Sequence, residues 1–192
     1  MNTPTSRPRV RFAAIVATAT LVAACAADAP VAPKGPAPTS MELASLRAVD
    51  TRADAARARA LATLRRATAR YHDLTAATDD GFVFLHGCES RPDEGPVGMV
   101  YVHPGRLDGV IDPALPEALV YEPGKDGRAR LVGVELAIPY VAWTNAEPPE
   151  FLGASFQPED EFGVWGLHIW LWRHNPEGLF AESNPRVSCA AE

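Results

Sequence analysis

The residues richest in chemistry lie near the C-terminus, in Gly166-Leu-His-Ile-Trp-Leu-Trp-Arg-His-Asn-Pro176. Side chains alternate faces along a strand, so this run sends His168, Trp170, Trp172 and His174 one way. Leu167, Ile169, Leu171 and Arg173 go the other way, as an apolar core face would. Indoles offer flat stacking area and imidazoles offer polar handles, which together make a floor for a ligand. A core strand covered by a helix, with its ring nitrogens hydrogen-bonded to neighbours, carries the same pattern. His168 and His174 stand about 20 Å apart along a strand and share no ion without a bend. Each would need other partners, from His86, Glu89, His103 or Glu135. Glu135 is the acid of interest, because Leu131 to Ile138 otherwise reads as a buried strand. A carboxylate there must be paired, hydrogen-bonded or protonated. Glu135 and His168 are therefore a candidate pair for a divalent metal or for acid–base work, beside the plainer reading of a buried hydrogen bond.

Two cysteines, Cys88 and Cys189, bracket the C-terminal half of the chain. In an exported protein an even pair reads first as a disulfide, here closing a loop of 101 residue steps. A thiolate ligand or nucleophile beside His86 is the alternative. No GxGxxG or GxxxxGK[ST] phosphate loop, GxSxG elbow, HExxH or CxxCH motif is present.

The elements that must position these residues follow from composition. Residues 1–24 read as a signal peptide: Arg7, Arg9 and Arg11 form a basic start, and Phe12 to Ala24 an apolar stretch too short to span a bilayer. Leu21-Val22-Ala23-Ala24-Cys25 resembles the lipobox of bacterial lipoproteins, which makes Cys25 the expected lipidation site. Ordinary cleavage nearby, leaving a soluble periplasmic or secreted protein, is the alternative. Residues 25–39, with Pro30, Pro33, Pro36 and Pro38, read as an extended tether. Residues 40–80 are crowded with Ala, Leu and Arg and predict one long helix, whose half from Leu61 to Leu74 is expected to pack.

Residues 81–192 change to short apolar runs divided by turn residues. Strands are predicted at Gly81–Leu85, Val97–His103, Ala118–Glu122, Ala129–Ile138 and Trp165–Trp172, with a hairpin at Gly124–Gly127 and a long surface loop at Glu147–Phe162. The expected fold is α+β: a long N-terminal helix packed on an antiparallel β-sheet, one domain with one disulfide. The charge of the whole chain is −6. Behind the signal, fifteen basic residues face twenty-four acidic ones, which argues against nucleic acid as a partner.

The C-terminal run also carries a likeness. Gly166 to Phe180, followed by Asn184-Pro-Arg-Val-Ser-Cys189, resembles the signature of a family of exported bacterial proteins and lipoproteins to which no activity is assigned. The resemblance extends from about Ala69 to Cys189 and includes Asp80-Gly81, Leu107-Asp108-Gly109 and Tyr121-Glu122-Pro123. It implies Cys88 and Cys189 as a matched pair, and Glu135, His168 and His174 as part of the family pattern.

The leading expectation is a non-enzymatic domain, lipid-anchored at the cell envelope, that binds a small ligand or a metal through His168, Trp170, Trp172 and His174. A metal-dependent enzyme using Glu135 and His168 is the second expectation. An envelope interaction module acting through the long helix, with Leu43, Leu46 and Val49 as its apolar stripe, is the third.

Overall fold

The computed structural model describes residues 39–91, 95–124 and 128–189. The signal peptide, Cys25 and all of the tether but Thr39 lie outside the described residues, as do the side chains of Leu43 and Leu46. Among the described residues no helix is long and apolar enough to cross a membrane.

A run without proline or glycine produces helix α1 (Ser40–Thr68), 29 residues and roughly 44 Å long. Its start is exposed, with Met41 and Val49 open to solvent, while Leu64 and Thr68 are fully buried. Arg57 ties its middle to the body by donating to the Leu152 carbonyl at 2.8 Å and lying over the Phe180 ring. The helix does not continue to residue 80 as expected. A 3₁₀ turn (Ala69–His72) follows α1, and Asp73 then turns extended and accepts the Thr75 N–H, capping a new short helix, α2 (Leu74–Asp79). Aspartate favours such a cap over a helix interior, and Tyr71, buried here, donates to Asp80 at the far end of α2.

Among the described residues six strands form one sheet: β1 (Val83–Arg91), β2 (Gly95–Val102), β3 (Ala118–Pro123), β4 (Ala129–Pro139), β7 (Gln157–Glu159) and β8 (Val164–Ile169). Their order is β1-β2-β3-β4-β8-β7 and every neighbouring pair is antiparallel. Strands β5 (Glu150–Phe151) and β6 (Ala154–Ser155) make a separate small hairpin. The segment expected to be a long loop, Glu147–Phe162, thus holds three short strands. The fold is α+β with one disulfide, between Cys88 and Cys189, so neither sulfur is a free thiolate.

Strand β4 is buried on both faces, which explains its nearly unbroken apolar run. One face, with Leu119, Tyr121, Val134, Leu136, Leu167 and Ile169, packs against Leu64, Tyr71, Ala77 and Phe82. The other carries Val100, Ala118, Val120, Val132 and Trp170, which pack with Val187 of the C-terminal tail. Three register shifts in the β1–β2 pairing mark irregularities of the kind that bend a strand. Rings from the two edges of the sheet meet: His86 of β1 stacks on Phe162, in the turn joining β7 to β8, with centroids 5.8 Å apart and planes at 14°. The sheet is therefore curled around the face opposite the helix.

Candidate functional site

Glu135 and His168 are direct partners across β4 and β8. Both point to the face away from the helix, because their neighbours Val134, Leu136, Leu167 and Ile169 fill the helix-side core. Nε2 of His168 lies 3.8 Å from Oε2 of Glu135, and Nδ1 lies 3.7 Å from Oε2 of Glu182 in the C-terminal tail. These distances are ion-pairing ones, too long for a direct hydrogen bond. Among the described residues neither ring nitrogen of His168 has a hydrogen-bond partner, although the residue is only 4% exposed. Its ring stacks on Trp170 at 5.8 Å with 16° between planes.

Gly166 makes the seat for Glu135. A Cβ at that position would stand 2.6 Å from Oε1 of Glu135 and 3.0 Å from Cγ of Glu159, so only glycine lets both acids lie over β8. Beside them opens a cavity of about 170 Å³, floored by Glu135 and His168 and walled by aliphatic side chains such as Val97, Val102 and Val164. Leu85 and Phe162, both exposed, form its rim together with His86. An apolar cavity with a few convergent polar groups has the make-up of a small-molecule site.

The electrostatics oppose one another within the pair. Burial pushes the Glu135 carboxyl above the usual range, and His168 pulls it partly back. Burial lowers the affinity of His168 for its proton, but Glu135 and Glu182 more than reverse this and leave its pKa above the ordinary 6.5. Just before β3, buried Glu117 accepts the Ala137 N–H at 3.0 Å, and burial pushes its carboxyl up to about 8.

The structure divides the four residues expected on one strand face. His168 and Trp170 share the cavity side. The strand ends at Ile169, and the backbone N–H of Trp170 is taken by the Leu179 carbonyl of the tail, while those of Trp172 and Arg173 turn back to Val132. Trp172 consequently packs with the helix-side core, its ring edge-on to His72 at 4.5 Å. His174 is exposed. The expected row of four is thus corrected to a pair, joined by Glu135. Among the described residues no group of three or more His, Cys, Asp or Glu is arranged to hold a metal ion, so Glu135 and His168 lack a third ligand there.

Sequence reasoning missed Glu182, Glu159 and Phe162. The last two fall in the expected loop, and the polar Gln157-Pro158-Glu159 offers no alternation to mark it as a strand. Glu182 comes to the site only because the tail folds back, with Trp170 Nε1 donating to the Ala181 carbonyl and Asn175 Nδ2 to that of Ser183. No protein-family model, curated protein or solved structure matches this chain.

Proposed function

We propose that this protein is an exported binding module, lipid-anchored through Cys25, that holds a small ligand in the cavity floored by Glu135 and His168. One observation carries the reading: an almost fully buried imidazole lines that cavity, and among the described residues neither of its ring nitrogens has a hydrogen bond, only carboxylates at ion-pairing distance. An unsatisfied buried polar group costs about 1–3 kcal/mol, and native proteins keep few of them. A ligand atom or a bridging water in the cavity would satisfy the ring. The lipobox-like Leu21–Cys25, the proline-rich tether and the likeness to exported lipoproteins support the location at the envelope.

The cavity reading is tested with one-ring molecules, neutral and of either charge, against thermal unfolding and intrinsic tryptophan fluorescence. At least one is expected to raise Tm and change the emission, and Val164→Phe, which fills the cavity wall, should abolish both effects. If no molecule of the panel acts on the wild type, the proposal fails. The anchor is tested by partition into Triton X-114, which Cys25→Ser should abolish.

The 3.8 Å approach of Glu135 to His168 favours a second reading, acid–base catalysis on a molecule held in the same cavity. It requires that an extract of envelope small molecules change composition on incubation with the protein, and that Glu135→Gln stop the change.

A further inference from the structure

We infer that a second site, at the end of the sheet and on the face away from the cavity, binds a saccharide of one or two pyranose rings. It is an open groove of about 380 Å³ lined by Tyr140, Trp143, Asn145, Pro158, Asp160 and Trp165. Trp165 of β8 pairs with Ile138 of β4 and Pro158 of β7, so it stands in the middle of three strands. Its neighbours Val164 and Gly166 serve the cavity face, and alternation sends Trp165 to the helix-side core. The groove and the cavity share strands β7 and β8 but no lining residue.

The rings of the groove are held in place. A 3₁₀ turn (Tyr140–Ala142) follows β4, and the Trp143 N–H returns to the Tyr140 carbonyl at 3.2 Å. The Tyr140 N–H donates to the Gly163 carbonyl at 2.9 Å, which ties the turn to the connection between β7 and β8. Trp143 Nε1 donates to the Glu147 carbonyl at 2.8 Å and so fixes the plane of its indole. Tyr140 meets Trp165 edge-on, with centroids 5.4 Å apart and planes at 67°. Gly109 backs the turn closely: a Cβ there would come 2.8 Å from Cβ of Ala142. A platform fixed before binding loses little side-chain freedom when a ligand settles on it.

Polar groups at the same groove keep bonding capacity. Tyr140 donates to Oδ1 of Asp160 at 2.9 Å, which orients the carboxylate and leaves Oδ2 without a hydrogen bond among the described residues. Among those residues the Asn145 amide and the Trp165 Nε1–H also make no hydrogen bond. Asn145 is exposed, and the Trp165 nitrogen, unlike the unpartnered one of Trp172, is not buried.

Flat apolar faces thus meet a rim that holds both acceptors and donors. A pyranose matches that division. Its axial C–H groups, slightly positive, rest on the negative face of an aromatic ring, while its hydroxyls point outward and both donate and accept. A quaternary ammonium would also suit two indoles, a phenol and a carboxylate. The donors of Asn145 and Trp165 offer such a cation nothing, and the groove is much larger than one small head group. A cavity of about 150 Å³ holds benzene, so 380 Å³ gives room for about two six-membered rings.

The test titrates full-length protein in mild detergent with cellobiose, maltose, diacetylchitobiose and choline, followed through the nitrogen–proton correlations of its four indoles. At least one disaccharide is expected to bind, with a Kd on the order of 1 mM, and to shift the Trp165 resonance. That resonance is identified by its loss in Trp165→Phe, which keeps a ring in the core. Trp143→Ala removes a stacking face and should weaken binding about tenfold. Asn145→Ala, at an exposed position, should weaken it about fivefold. A saccharide that leaves the Trp165 resonance unmoved, or that binds Asn145→Ala as tightly as the wild type, overturns the site. Choline binding in place of every saccharide overturns the ligand class. Binding by none of the three disaccharides overturns the proposal, whatever the cavity binds.

Discussion

Glu117→Gln tests the electrostatics of the fold beneath the cavity. Glu117 is 2% exposed, its side-chain Oε2 accepts the Ala137 N–H at 3.0 Å, and its own carbonyl accepts the His103 N–H at 2.8 Å. Burial pushes its pKa from an ordinary 4.5 to about 8; hydrogen bonding offsets part of the effect, and Asp108 and Glu135 add to it. The folded chain thus keeps a proton that the unfolded chain has released. Stability from this group is complete below pH 4.5, falls as pH rises toward 8, and is level above that. Each pH unit inside the window costs about 1.4 kcal/mol, so the full loss is on the order of 5 kcal/mol.

Glutamine preserves the acceptor for Ala137 and cannot ionise. Its amide hydrogens face the same surroundings at every pH, so any cost they bring cancels when two pH values are compared. Urea unfolding followed by tryptophan fluorescence, at pH 5 and pH 9 in the same salt, measures the difference between variant and wild type. That difference should move in favour of Glu117→Gln by about 4 kcal/mol between the two pH values. A shift below about 1 kcal/mol would show that Glu117 ionises in the fold without hindrance, and would refute burial as the cause of its raised pKa.

Replacing Cys88 and Cys189 together by serine opens the 101-residue loop and should cost about 4–5 kcal/mol in urea unfolding, with greater acrylamide quenching of the tryptophan emission as the tail over Trp170 loosens. Leu64→Ala, at a fully buried site under the sheet, should cost about 2–5 kcal/mol, whereas Val49→Ala at the exposed start of α1 should stay within about 0.5 kcal/mol. His168 should titrate by NMR above the ordinary 6.5, and Glu135→Gln should lower that midpoint by removing its chief acidic partner. The stability added by protonated His168 is complete below pH 6.5 and is lost as pH rises through the higher folded value.

The strands that were legible from composition are those whose burial produces a pattern. β4 is covered on both faces and reads as an unbroken apolar run; β2, β3 and β8 carry enough apolar residues to stand out between turns. β7 is a three-residue edge strand containing Pro158, a residue an edge tolerates and a propensity argument rejects. The break after Thr68 was hidden because Ala and Arg continue through it. It is made by the Asp73 cap and by Tyr71 reaching Asp80, a pairing that composition does not reveal. Glu135 was legible as a lone acid in an apolar strand, and the register of β4 with β8 supplies its partner. Trp172 was misplaced because the end of β8 is decided by the tail, whose Leu179 carbonyl captures the Trp170 N–H.

That tail also explains why only part of the curled face is a cavity. Val187 fills the space over Val100, Ala118, Val120, Val132 and Trp170. Asn184 donates to the Pro96 carbonyl and the Arg173 carbonyl, and the disulfide fastens the tail to β1. Beyond Trp170 the tail supplies Glu182 to His168, leaving Glu135 and Ala137 to border open space. Hydrophobic burial alone would favour an apolar residue in place of Glu135, since an ionised carboxylate there must shed water without a full set of donors. The sequence instead places glycine at 166, where it clears room for that carboxylate, and histidine at 168, directly opposite in register. Three residues thus accommodate a charge that the fold does not need for its core. Such local cost without local gain is the pattern expected where a residue serves something other than the fold, and it is in keeping with the proposal of a ligand site here.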